Sequence, residues 1–163
     1  MTYIIGHQSP DLDSVAAAIS YSIFKNKLEK ENKFFPAVCG EINKETKYIL
    51  EKFDFEKPEL LEDASEKELI LVDHNEFSQA VNGIEKAKIK EVLDHHKFYF
   101  SYSEAIPFKI LPWGASCSII AQDFFDNNFE IDKNLAGLML SAILVDTVIT
   151  KSPTCTDKDK KII

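Results

Sequence analysis

Asp94-His95-His96 places a carboxylate and two adjacent imidazoles directly after the apolar run Ile89 to Leu93. The chain has only four histidines. Of the other two, His7 closes the run Tyr3-Ile4-Ile5-Gly6, and His74 follows Asp73 at the end of Leu69 to Val72. Asp11 and Asp13 come just after His7, and Asp146 ends a further apolar stretch in Leu144-Val145-Asp146-Thr147. Imidazoles mixed with several carboxylates suit a borderline divalent ion such as manganese, iron or cobalt. Cys39, Cys117 and Cys155 are too widely spaced for a thiolate zinc site or a disulfide framework, and read as reduced, mostly buried thiols.

Taken singly, each residue has an ordinary structural explanation. His7 reads as a hydrogen-bonded histidine at a strand end, Asp11 and Asp13 as helix caps, and Asp73 and His74 as turn residues, with His74 turned away from its neighbour. Asp146 is harder to dismiss, because an unpaired carboxylate in an apolar helix is costly. Converging on one edge, they make a metal site instead. Two ions fit better than one, since bridging carboxylates hold cations roughly 3.5–4 Å apart and so clamp both oxygens of a phosphoryl transfer. Asp94 is expected to support the site by orienting a metal-bound imidazole.

The elements that must bring these residues together alternate strand and helix. Strands are expected at Tyr3–Gly6, Lys33–Val38, Leu69–Asp73, Ile89–Asp94 and Phe108–Leu111, with Pro36 pointing the second towards an edge position. Helices are expected over Val15–Leu28, from Asn43 to about Phe53, from a Ser116 cap to about Asn127, and over Leu135–Leu144 behind Asp132. Glu56 to Lys67 reads as a surface connection, and Phe77–Val81 as a short helix before the Asn82-Gly83 turn. The result is one α/β domain, a three-layer arrangement with a mainly parallel sheet of about five strands and helices on both faces. Such a sheet delivers its strand ends to one edge, where His7, Asp11, Asp13, Asp73, Asp94, His95 and His96 would meet. Asp146 joins them if its helix end points the same way.

A net charge of −8 argues against a surface that tracks nucleic-acid phosphates. No apolar run is long enough to cross a membrane and no leader opens the chain, so a cytoplasmic protein is the expectation.

Gly6-His7-Gln8-Ser9-Pro10-Asp11-Leu12-Asp13-Ser14, Val72-Asp73-His74-Asn75-Glu76, Asp94-His95-His96, and Leu144-Val145-Asp146-Thr147 with Lys151-Ser152-Pro153-Thr154 resemble the successive motifs of the DHH phosphoesterase superfamily. More narrowly, they resemble family II manganese-dependent inorganic pyrophosphatase, and the likeness runs over essentially the whole chain. It implies that His7, Asp11, Asp13, Asp73, His95 and Asp146 hold two manganese ions, with cobalt or magnesium as substitutes, and that Asp73 bridges them. It implies catalytic roles for Asp11, Asp73 and His96, with His96 contacting phosphate. Pyrophosphate is then the substrate, hydrolysed to two orthophosphates by a hydroxide that two metals activate, and a homodimer is possible. The same superfamily also suggests a phosphodiesterase of short oligonucleotides or cyclic dinucleotides, and a metal-binding or dimerising module without turnover is a further reading.

Pro112-Trp113-Gly114 departs from the pattern by placing an indole where a small aliphatic residue is usual, which restricts the site if this loop lines it. These pyrophosphatases also carry a C-terminal domain with substrate-binding Lys and Arg residues. Here residues 1–155 are expected to form the DHH domain, and Thr156-x-x-Asp159 to cap a helix that begins a linker or a next element. On this reading the substrate-binding domain is absent and the chain alone has weak or no activity.

Overall fold

The computed structural model describes residues 1–163. Six strands, β1 (Thr2–Ile5), β2 (Phe34–Val38), β3 (Glu59–Leu60), β4 (Glu68–Val72), β5 (Lys88–Asp94) and β6 (Phe108–Ile110), form one sheet in the order β3-β2-β1-β4-β5-β6. All neighbouring pairs are parallel. The helices are α1 (Leu12–Leu28), α2 (Lys44–Lys52), α3 (Ser116–Asp126), α4 (Lys133–Asp146) and α5 (Asp157–Ile162). The sixth strand, β3, is a two-residue exposed edge inside the segment expected to be a plain connection. It pairs only with Ala37 and Val38, so Pro36 lies along the part of β2 that β3 does not reach. The missing Pro36 N–H therefore costs no ladder bond on that side.

The chain winds from β1 through β2 to β3, then restarts at β4 on the other side of β1. Parallel crossovers are almost always right-handed, so reversing the winding direction moves the connections to the opposite face. The two cores follow this division. Ile4, Val38, Ile70, Val72 and Leu93 pack with α1, α2, α3 and α4 on one face, whereas Tyr3, Ile5, Leu69, Leu71 and Val92 pack under Ala80, Val81, Ile84 and Ala87 on the other. That second face is covered by short 3-10 helices at Phe77–Gln79 and Ile84–Lys86 and by the aromatic segment carrying Phe100 and Tyr102. Extended backbone at Ala80 and Ala87 ends the two turns, and Gly83, at φ 77°, sits as the cap before the second.

Helix α1 is buried almost all round because it packs against the sheet and against α3 and α4. Phe124 and Phe24 close the core there with ring centroids 5.3 Å apart, and full burial of such a side chain contributes about 1.5–3 kcal/mol. In β5 the register slips so that Ile89 pairs with Leu69 while Glu91 pairs with Ile70, leaving Lys90 as the extra residue. The slip turns Glu91 toward α1, where it meets Lys25 Nζ at 3.1 Å and the Tyr21 hydroxyl.

Candidate metal centre

The winding direction reverses between β1 and β4, and ligands of open α/β sheets bind beyond the strand ends at such a point. His7 follows β1 and Asp73 follows β4, so both stand at the reversal. Asp73 has a left-handed backbone, φ 61°, which Asp tolerates better than most residues and which lifts its carboxylate out of the strand alternation. Its two oxygens face different imidazoles. Oδ2 lies 3.5 Å from His7 Nε2, and Oδ1 lies 3.2 Å from His95 Nε2.

Asp11 caps α1 as the sequence suggests, with Oδ1 accepting the Ser14 N–H at 2.9 Å, and its other oxygen is 3.5 Å from His7 Nε2. Cap and site coexist because a carboxylate has two oxygens. Gly6 lets the two motifs meet, since a Cβ there would come 1.8 Å from Ser14 Oγ, the atom that accepts the His7 N–H. Asp146 ends α4 on this same edge, 3.7 Å from His95 Nε2. His7, Asp11 and Asp73 thus form one possible ligand group, and Asp13, Asp73, His95 and Asp146 a second that shares Asp73.

Several supporting contacts differ from expectation. Helix α3 begins at Ser116 with Ala115 as its cap residue, and the capping acceptor is Asp13 of α1, which takes the Ser116 and Cys117 N–H groups. Ser116 is therefore not the cap, and its hydroxyl is free to donate to Asp73 Oδ1 at 2.9 Å. Asp94 does not orient the His95 imidazole. It accepts from His96 Nδ1 at 2.8 Å, from the His95 and His96 N–H groups, and from Asn75 Nδ2. The His95 ring is held by the Trp113 carbonyl, which accepts from Nδ1 at 3.0 Å. Trp113 contributes through this main-chain oxygen while its indole packs against the larger core. Asn75, buried and bonded to Asp94 and to the Lys97 carbonyl, had no signal in the sequence beyond its place in Val72-Asp73-His74-Asn75-Glu76.

His74 is buried, bonds the Val72 carbonyl through Nδ1, and sets its ring edge-on to His7. With Asn75, Glu76, Gln79, His96 and Lys97 it lines a wholly polar cavity of about 220 Å³ beside the carboxylates. The cysteines are all free, but only Cys117 is fully buried.

The electrostatics show what the cluster attracts. Burial would lower His7 and His95, yet the carboxylates of Asp11 and Asp73 carry His7 up to about 10, and Asp73 and Asp13 carry His95 to about 10. Burial and then Asp73 and Asp11 raise Asp146 to about 7, and burial with Asp73 and Asp146 pushes Asp13 well above its ordinary value. Burial would raise Asp73 too, but hydrogen bonds from both imidazoles hold it well below the usual range. A carbonyl only accepts, so His95 Nδ1 carries the proton that Trp113 receives. Its Nε2 is buried and faces the Asp73 and Asp146 carboxylates, at 3.2 Å and 3.7 Å. A lone pair aimed at carboxylates is favourable only with a proton or a cation between them, so these donors fit a divalent ion.

A family model described as DHH family, N-terminal domain, matches residues 1–143. The chain is 51% identical over 162 residues to a protein of Methanothrix thermoacetophila named manganese-dependent inorganic pyrophosphatase, covering 99% of this chain and 52% of that protein. It is 43% identical over 159 residues to the Bacillus subtilis protein of the same name, covering 96% and 51%. A crystal structure from Methanococcus jannaschii, titled putative family II inorganic pyrophosphatase, superposes with a TM-score of 0.92 at 41% identity over 99% of this chain and 54% of the other. An exopolyphosphatase-related protein from Bacteroides fragilis shares the fold, with a TM-score of 0.72 at 14% identity. The chain spans about half the length of the curated relatives it matches. With most of its residues inside the family match and a parallel sheet that superposes on a relative's, the chain belongs to the DHH family, as an N-terminal domain.

Proposed function

We propose that this chain supplies the metal-holding half of a manganese-dependent inorganic pyrophosphatase that hydrolyses pyrophosphate to two orthophosphates. One observation carries the reading: the two oxygens of Asp73 each face a different imidazole, at 3.5 Å and 3.2 Å. His7, Asp11 and Asp73 would hold one ion, and Asp13, Asp73, His95 and Asp146 the other. When bound, two divalent ions would lower the pKa of a water and offset phosphate charge, with cobalt or magnesium as substitutes for manganese. Asp11, half exposed, with Oδ1 on the cap and Oδ2 toward His7, would in this reading both help hold the ion and be the carboxylate nearest to accept a proton. Asp94 holds His96 by Nδ1 and raises its pKa, which favours the charged form of a ring that lines the polar cavity where phosphate would lie. Lys97 lines the same cavity.

Calorimetric titration with manganese tests this. Two ions should bind per chain, and Asp73→Asn should weaken both. Loss of only one would remove Asp73 from the bridging role, and a wild-type stoichiometry of zero would refute the site.

A further inference from the structure

Thr156-x-x-Asp159 makes a contact that capping a helix does not require. Asp159 is completely buried although it lies in the last helix of the chain. Its Oδ2 accepts from the Thr156 N–H at 2.7 Å and hydroxyl at 2.6 Å, which closes the capping box of α5. The same oxygen accepts the Gly114 N–H at 2.9 Å, 45 residues away. That N–H belongs to the peptide whose carbonyl, from Trp113, accepts His95 Nδ1 at 3.0 Å. One trans peptide therefore has a carboxylate on its N–H end and an imidazole on its carbonyl end, because the two groups point in opposite directions. The peptide is clamped in place: a Cβ on Gly114 would meet Thr147 Cγ2 at 2.6 Å and Asp159 Oδ2 at 3.0 Å.

We propose that Asp159 is a positioning residue for His95, acting through the Trp113–Gly114 peptide. Carboxylates commonly fix a metal-ligating histidine by accepting its second ring N–H directly. Here the carboxylate polarises an amide, and the amide carbonyl becomes the stronger acceptor, as bonds in a chain reinforce one another. The effect holds the proton on Nδ1 and keeps Nε2 aimed at Asp73 and Asp146. Three left-handed residues, Val148, Ile149 and Thr150, turn the chain back after Asp146, so the segment that leaves the site returns to brace it. This inference rests on His95 being a metal ligand, as proposed above.

Two measurements on the 163-residue chain test it separately from that reading. In EDTA, nitrogen-15 NMR should show a slowly exchanging His95 Nδ1 proton in the wild type. Asp159→Ala should lose that protection. Asp159→Asn, whose amide oxygen can still accept from Gly114, should keep most of it, and Thr156→Ala, which breaks the cap but leaves the Gly114 bond, should lower the melting temperature and leave the proton protected. In manganese titrations Asp159→Ala should weaken one of the two steps about tenfold, the low end for supporting partners of ligands, and spare the other. Equal behaviour of Asp159→Ala and Thr156→Ala in both measurements would reduce Asp159 to a helix cap and overturn the proposal. Failure of the wild type to bind manganese would refute the metal reading, while the proton exchange would still decide the relay.

Discussion

Asp13, in the first turn of α1, accepts the backbone N–H of Cys117 at the start of α3 at 3.0 Å. Its other oxygen takes the Ser116 N–H at 2.6 Å, so one carboxylate from another helix replaces the cap that Ala115 cannot supply. Removing it strands two buried N–H groups. Asp13→Ala should therefore destabilise the chain by about 2–3 kcal/mol, against about 1 kcal/mol for the half-exposed cap Asp11. Urea unfolding in EDTA at pH 5 is the measurement, because there the proton on Asp146 and the charges on His7 and His95 keep carboxylate repulsion small. Equal losses for the two variants would deny Asp13 its role at α3.

In EDTA the folded chain should lose stability as pH rises from about 5 to 9. His7 and His95 have folded pKa values raised from 6.5 to about 10, so their contribution is complete below 6.5 and is lost as pH climbs through 10. Asp146, raised from 3.8 to about 7, acts in the same direction over the lower window. Asp73 is lowered and acts oppositely, contributing above 3.8 and failing only in acid. A fall of at least about 5 °C in melting temperature between pH 5 and 9 is expected, at roughly 2–4 °C per kcal/mol for a domain of this size. A melting temperature that climbs over this range would mean that the carboxylates and imidazoles are not in contact.

Manganese should remove that pH dependence and release protons as it binds, because it takes the place they hold on His7, His95 and Asp146. A hundred-fold excess over Kd stabilises by about 2.7 kcal/mol. Equal magnesium should do far less, since imidazole nitrogens favour the softer ion. Matching thermal shifts for the two metals would argue that His7 and His95 are not ligands.

The strands and helices were legible because apolar runs and caps are local signals. Asn43 caps α2 and Asp132 caps α4 where their residue types suggest. The six candidate ligands, His7, Asp11, Asp13, Asp73, His95 and Asp146, drew notice because they lie at or just beyond apolar runs, and strand ends of a parallel sheet share an edge. What the sequence could not show depends on residues far apart along the chain. Ser116 has the residue type of a cap, but Asp13 does the capping from 103 residues away, which frees the hydroxyl for Asp73. Trp113 was read through its indole, whereas a carbonyl that any residue carries holds His95. The two-residue strand β3 has no periodicity to detect, and its pairing with Ala37 and Val38 alone defines it.

Gly6→Ala should disturb the site without touching a candidate ligand. The new methyl would lie 1.8 Å from Ser14 Oγ, so the His7 loop or the start of α1 must shift. Overpacking of this kind costs typically about 1–3 kcal/mol. Adding Ser14→Gly removes the hydroxymethyl and should restore most of the stability and manganese binding. A double variant no better than Gly6→Ala alone would show that the glycine is needed for another reason. Urea unfolding and manganese titration read both quantities.

The chain by itself should bind manganese yet release orthophosphate from pyrophosphate slowly. Pyrophosphate is a dense anion, and this half of the relatives' length carries a net charge of −8. Lys97 and Lys151 are the basic residues closest to the motifs, and Lys151 is exposed. Two flexible amines cannot supply the several charge-assisted bonds, or the exclusion of water, that hold a phosphoryl group in line for attack. Losing positioning and charge stabilisation together removes several kcal/mol of transition-state binding, roughly a thousand-fold or more in rate. The measurement is orthophosphate release at saturating manganese, by this chain alone and by this chain fused to the C-terminal half of the Methanothrix thermoacetophila relative. The fusion should gain at least about a thousand-fold. Turnover by the 163 residues that matches the fusion would show that the substrate site is already complete within them, and hydrolysis of a model phosphodiester in place of pyrophosphate would move the whole assignment to another branch of the family.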